Sequence, residues 1–206
     1  MNLIDDKIWQ ALRLTEIDQL FKQLTIPWWI AGGWAIDLFI GKQTREHLDA
    51  DVIILRKDQF IIKDFLSDWF LYKTNQPGLA LWDTREFLEL GVNSVWCKKE
   101  IQAPWLLEII FLDSKGSEWF YRREPKIRGL IHDFGKVTKD GIPYISPEIQ
   151  LLFKAKYNSL VKNELDFNNT INLLTTKQKK WLKEALKIEF PTGHNWINRI
   201  ESTIKN

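Results

Sequence analysis

Three carboxylates in this chain stand where carboxylates are costly. Asp49 and Asp51 flank Ala50 in DADVIIL (49–55), at the entry to a β-branched apolar run. On a strand, residues i and i+2 project from one face, roughly 6.5–7 Å apart along the chain. Two unpaired carboxylates so placed repel each other, and one of them holds its proton more tightly. A divalent cation between them removes the repulsion. Hard oxygen donors suit Mg²⁺, which takes one or two protein carboxylates and completes its shell with substrate phosphates. Glu108 lies inside WLLEIIFL (105–112), sharing a strand face with Leu106 and Ile110. Burying a lone ionised glutamate is costly. A third metal-site carboxylate on a neighbouring strand would account for it; pairing with an arginine, or an exposed edge, is the alternative.

Gly32 and Gly33 sit between an apolar run, WWIA (28–31), and a helical pattern, WAIDLFIG (34–41). Glycines at such a strand-to-helix turn let the backbone approach a phosphate, and the N–H groups at a helix start attract anions. A plain turn is the simpler reading. Lys42, Arg45 and His47 then precede the carboxylates. Arg45 can neutralise triphosphate charge, Lys42 reads as a solvated charge, and His47 as either a packed or an exposed loop residue.

The elements that must hold these residues follow from periodicity and breakers. Residues 5–24 repeat apolar positions at helical spacing, and Pro27 stops that helix. Residues 28–31 and 49–55 read as strands, 34–41 as a helix ended by Gly41, and 56–69 as a helix again. Residues 87–99 and 103–114 read as two strands of one sheet, and 116–130 as a loop or hairpin broken at Pro125. Asp140-Gly141 and Pro143 mark turns. Ser146-Pro147 then starts a helix, with Ser at the cap and Pro at the first helical position. Everything beyond is helical. The expectation is a mixed α/β domain over 1–140 and a helical domain over 141–206.

Bulk properties narrow the function. A chain of 206 residues can build one core, or an α/β domain with a smaller helical one. A net charge of +2 is too small to argue for nucleic acid, although Arg122, Arg123, Lys126 and Arg128 form a local basic cluster. One cysteine permits no internal disulfide, which suits a reducing compartment. No signal peptide and no bilayer-length apolar run is visible, so a cytoplasmic protein without membrane contact is expected. Eleven tryptophans read mainly as packing, with some able to wall a ligand site.

The stretch AGGWAIDLFIGKQTREHLDADVIIL (31–55) resembles the Gly-Gly plus Asp-x-Asp signature of the DNA polymerase β-like nucleotidyltransferase superfamily. Within it, the chain resembles the branch of aminoglycoside 2″-adenylyltransferases and lincosamide nucleotidyltransferases. WFYRREPKIR, DGIPYISPEIQLLFKAK, NELDF and PTGHNWI are similar to later blocks of that branch, in the same order. The resemblance implies an α+β fold: a short mixed sheet flanked by helices, then a helical domain. It implies transfer of a nucleoside monophosphate, with AMP from ATP as first guess, to a hydroxyl of a small acceptor such as an aminoglycoside, with Mg²⁺ as cofactor. Asp49, Asp51 and Glu108 carry over as catalytic and metal-site residues, Glu108 as ligand or as general base. Gly32 and Gly33 carry over to the triphosphate. Lys154 carries over as a further triphosphate contact, against the alternative of a surface lysine. Glu164 and Asp166 carry over as contacts to an acceptor bearing amines, against the alternative of a helix cap or salt bridge. The branch usually has Lys-Asp where this chain has Lys162-Asn163, a departure that bears on acceptor choice or on the level of activity. An RNA- or protein-modifying relative and a non-catalytic nucleotide-binding protein are the competing readings.

Overall fold

The computed structural model describes residues 8–74, 78–83 and 85–204. In chain order the elements are α1 (Leu14–Phe21), β1 (Trp28–Ile30), α2 (Gly32–Ile40), β2 (Asp51–Leu55), α3 (Gln59–Phe65), β3 (Phe70–Thr74), β4 (Leu79–Leu81), β5 (Ser94–Lys98) and β6 (Leu107–Lys115). They continue with β7 (Glu118–Phe120), β8 (Arg128–Leu130), β9 (Gly135–Val137), β10 (Pro143–Ile145), α4 (Pro147–Ala155), α5 (Val161–Ile171), α6 (Thr176–Glu189) and α7 (Asn195–Ile204). The expected α+β class is the observed one. These elements gather into two compact units that do not follow chain order. One takes residues up to Ile30 with Glu46–Asp113; the other takes Ala31–Arg45 with the chain from Ser114 onward.

The first unit is a sheet in the order β4-β3-β5-β6-β2-β1. The β2–β6 pair is parallel and the rest are antiparallel. With β6 on one side and β1 on the other, β2 is central. Its residues Val52 to Leu55 are buried on both faces, as a β-branched run without alternation requires. Three expectations are corrected here. Residues 8–12 are extended rather than helical: Gln10 and Leu12 donate to the Trp105 and Leu106 carbonyls, and Trp9 packs edge-on against Trp96. The remainder of that expected helix before residue 8 lies outside the described residues. Helix is confined to Gln59–Phe65, after a short 3₁₀ turn at Arg56–Asp58. The expected strand over 87–99 is strand only from Ser94 to Lys98, because the carbonyls of Leu88, Glu89 and Val92 turn inward onto the buried Arg56 guanidinium. Strands β3 and β4 lie where the periodicity reading names no element.

In the second unit α2 rests on α4 and α5, α4 packs on α6, and α6 on α7. Two hairpins, β7–β8 and β9–β10, complete it, so residues 116–130 are the hairpin form of the expected loop. Gly41, at φ +84°, ends α2 in the left-handed conformation expected of it. Pro147 takes the first position of α4, but the Ser146 hydroxyl does not cap that helix; it donates to the Asp133 carbonyl instead. The tryptophans mostly pack. Trp105, Trp119 and Trp196 are almost wholly buried, and Trp196 stacks on Phe167 with ring centres 4.3 Å apart. Trp119 and Trp181 also border a cavity of about 380 Å³ within this unit. No described helix is long and apolar enough to cross a membrane.

Candidate active site

The carboxylates of the first unit are positioned by strand register. β2 and β6 run parallel with Asp51 opposite Glu108, and antiparallel β5 sets Trp96 opposite Glu108 on the other side. The Glu108 N–H donates to the Ala50 carbonyl at 2.8 Å, which draws the segment holding Asp49 and Asp51 against β6. All three carboxylates are half-buried. Burial raises the proton affinity of Glu108, and the Asp49 charge adds to this. Ser94 and Trp96 oppose it, and the net result lies above the ordinary glutamate range. The buried arginine of this unit does not pair with Glu108: Arg56 binds Asp113 through Nε and the Val92 carbonyl through Nη1 at 2.7 Å.

Among the described residues, no three His, Cys, Asp or Glu side chains converge closely enough to form a protein-only metal cage. Asp49, Asp51 and Glu108 do offer hard oxygen donors alone, and Asp51 and Glu108 share a register position. That fits an ion that uses one or two protein carboxylates and takes its remaining ligands from substrate and water.

The second unit carries the other set. Gly32 opens α2 at φ +68°, where a side chain would be strained, and its N–H donates to Gln150 Oε1 on α4 at 2.9 Å. Gly33 is buried one residue on. The loop after α2 is tied back by Asp37, whose Oδ1 accepts from the Thr44 N–H (3.0 Å) and hydroxyl (2.6 Å). This fixes Arg45, whose guanidinium reaches α5: Nε to Asp166 Oδ1 at 2.9 Å and Nη2 to Oδ2 at 3.0 Å. Lys154 Nζ, from α4, reaches the same Oδ2 at 2.9 Å. Burial alone would raise the Asp166 pKa; the two cations outweigh it and hold it below the usual carboxylate range. Glu164 is likewise engaged, accepting from Trp196 Nε1 (2.5 Å) and Arg199 Nη1 (2.7 Å) of α7. Thus Arg45, Lys154 and Asp166 come together, while Glu164 ties α5 to α7. Lys42 is exposed and His47 half-buried. In the basic cluster, Arg123 donates to the Phe153 carbonyl and approaches Glu189 at 3.4 Å.

One contributor escaped the sequence reading. Gln150 lies four residues before Lys154, one helical turn away, and that spacing on α4 was the available signal.

Residues 13–77, which include Gly32, Gly33, Arg45, Asp49 and Asp51, match the family profile described as aminoglycoside-2″-adenylyltransferase. The family match stops short of Glu108. A lincosamide resistance protein of Staphylococcus haemolyticus is 46% identical over 33 residues, which are 16% of this chain and 20% of that protein. The match therefore spans a fifth of that relative's length. Among solved structures, the antibiotic-resistance factor ANT(2″)-Ia in solution is similar at a TM-score of 0.57 and 16% identity, covering 85% of this chain and 90% of the other. The lincosamide antibiotic adenylyltransferase LnuA, with lincomycin bound, is similar at 0.51 and 23% identity, covering 79% and 97%. The chain shares the fold of these two proteins.

Proposed function

We propose that this chain is a Mg²⁺-dependent nucleotidyltransferase that moves AMP from ATP to a hydroxyl of a small antibiotic acceptor and releases pyrophosphate. The observation that supports it most is the pairing of Asp51 with Glu108 across β2 and β6, with Asp49 just ahead of the strand. The aspartates lie in the segment that matches an adenylyltransferase family profile. In the reaction the acceptor oxygen bonds to the α-phosphorus, the bond from that phosphorus to the α,β-bridging oxygen breaks, and pyrophosphate leaves with the electron pair. The hydroxyl proton passes to Glu108, whose proton affinity burial raises above the ordinary glutamate range. Asp49 and Asp51, with Glu108 beside them, would hold Mg²⁺, which when bound would offset charge on the triphosphate.

Gly32, whose own N–H is held by Gln150, lets the backbone approach the phosphates, the start of α2 at Gly33 favours anions, and Arg45 and Lys154 offer cations. The reading assigns residues 1–140 to nucleotide chemistry and 141–206 to a helical domain, in a cytoplasmic protein supplied with ATP. The acceptor is a polyhydroxylated antibiotic of the aminoglycoside or lincosamide kind. This choice is supported by the family of residues 13–77 and by LnuA, whose structure holds lincomycin. Glu164, with its carboxylate about a third exposed, is the carboxylate still open to an acceptor amine.

Incubation with Mg-ATP and a panel of aminoglycosides and lincosamides is expected to release pyrophosphate with at least one acceptor. Replacing the base, Glu108→Gln, is expected to slow turnover about 10²–10⁴-fold. A panel that yields no pyrophosphate, or a Glu108→Gln protein as fast as the parent, would contradict the assignment.

A further inference from the structure

Asp166 is the most enclosed charge in the second unit. Its side chain is wholly buried, whereas those of Arg45 and Lys154 remain 16% and 11% exposed. The arginine grips both carboxylate oxygens in a planar fork, the geometry that fixes orientation as well as distance. The lysine comes from a second helix and meets the same carboxylate at 2.9 Å. Asp166 itself is anchored in α5, where its carbonyl accepts from the Thr170 hydroxyl at 2.6 Å. One turn earlier, Asn163 donates to the carbonyls of Lys154 (3.4 Å) and Tyr157 (2.8 Å), locking α5 to the end of α4.

We infer that Asp166 is a positioning residue that presets Arg45 and Lys154 as a two-cation clamp for the phosphates of the nucleotide, and does not touch the acceptor. This rests on the nucleotidyl-transfer reading and replaces the acceptor contact expected of Asp166. The order of exposure supports it. The two cation side chains keep some exposed surface, whereas the carboxylate between them has none. Two flexible cations would otherwise repel each other, and one buried carboxylate holds both at a fixed spacing.

The test is calorimetric binding of inorganic tripolyphosphate, without metal, to the parent and to Asp166→Asn. The substitution keeps the volume and adds one positive charge to the cluster. If Asp166 only balanced charge, the anion would bind more tightly to the variant. Positioning predicts the opposite: binding about tenfold weaker or more, since misplaced contacts lose affinity even when charge is favourable. In turnover assays the KM for ATP should rise while the KM for the acceptor holds. Tighter or unchanged tripolyphosphate binding, or a rise confined to the acceptor KM, overturns the inference. If Asp166→Asn does not fold, Arg45→Gln and Lys154→Gln are read in its place. Each should weaken tripolyphosphate binding, and unchanged binding in both overturns the clamp. If the parent binds tripolyphosphate but never releases pyrophosphate, the reaction assignment fails while the clamp stands. If the parent binds no tripolyphosphate, the clamp fails.

Discussion

Asn163 shows how one side chain is dictated by what surrounds it. Its amide faces two carbonyls, those of Tyr157 at 2.8 Å and Lys154 at 3.4 Å, and it is almost completely buried. The N–H₂ end can donate to both; an ionised aspartate there has nothing to donate and sets its oxygens against two more. The aspartate usual in the resembling branch is therefore the wrong residue for this packing. Asn163→Asp is expected to cost about 1–3 kcal/mol near pH 7, read from the midpoint of urea unfolding. The introduced carboxyl is held above its ordinary pKa, so the deficit should shrink as pH falls and protonation restores a donor. Equal stability of both proteins near neutrality would show that these bonds contribute little. The exception at 163 is visible in the sequence. Its partners are not, because the chain turns back between α4 and α5 to bring them within reach. The same holds for Asp166: a carboxylate at a helical position is legible, but the two cations that enclose it come from residues 12 and 121 positions away.

Elements meet through side chains that the periodic pattern does not encode. His194, just before α7, accepts the Trp196 N–H at Nδ1 (3.2 Å), so its proton lies on Nε2 and is donated to the Ala155 carbonyl at the end of α4 (3.1 Å). Burial lowers its pKa from the ordinary 6.5, only partly offset by that carbonyl and by Glu164. Because the folded value is depressed, the unfolded chain binds more protons between the two values. The stabilisation from neutral His194 is then complete above about 6.5 and is lost as pH falls through the folded value. Melting temperatures taken from pH 7.5 down to 5 should decline for the parent and decline less for His194→Gln. Parallel curves for the two proteins would remove His194 from the account.

Strands with unambiguous composition were legible: β2 from its β-branched run and β6 from WLLEIIFL. The start of α4 was legible from its proline. Residues 8–12 and 87–93 were not, because distant groups decide their backbone. The former pairs with the chain at Trp105, and the latter wraps its carbonyls around Arg56. That arginine is itself paired with Asp113, and removing one partner of such a buried pair typically costs about 3–5 kcal/mol.

At the scale of the molecule, the residues assigned to catalysis are divided between two compact units, and the chain passes from one unit to the other at 30/31, 45/46 and 113/114. The carboxylates Asp49, Asp51 and Glu108 belong to the β2–β6 unit; Gly32, Gly33, Arg45 and Lys154 belong to the helical unit. Neighbours in sequence such as Arg45 and Asp49 thus fold with different partners, and a reading along the chain cannot reveal this. The order of motifs can point to the proposed chemistry because residue type and spacing survive such a division. The grouping into units depends on long-range packing that no single segment carries. The central claim is that this chain adenylates a small hydroxylated antibiotic with Asp49, Asp51 and Glu108 as its catalytic carboxylates. Mass spectrometry of the acceptor panel after incubation with Mg-ATP tests it most directly. The account predicts that one acceptor gains the mass of a single adenylyl group with the parent protein and gains nothing with Asp51→Asn. Acceptors unchanged across the whole panel, or the same gain with Asp51→Asn, would contradict it.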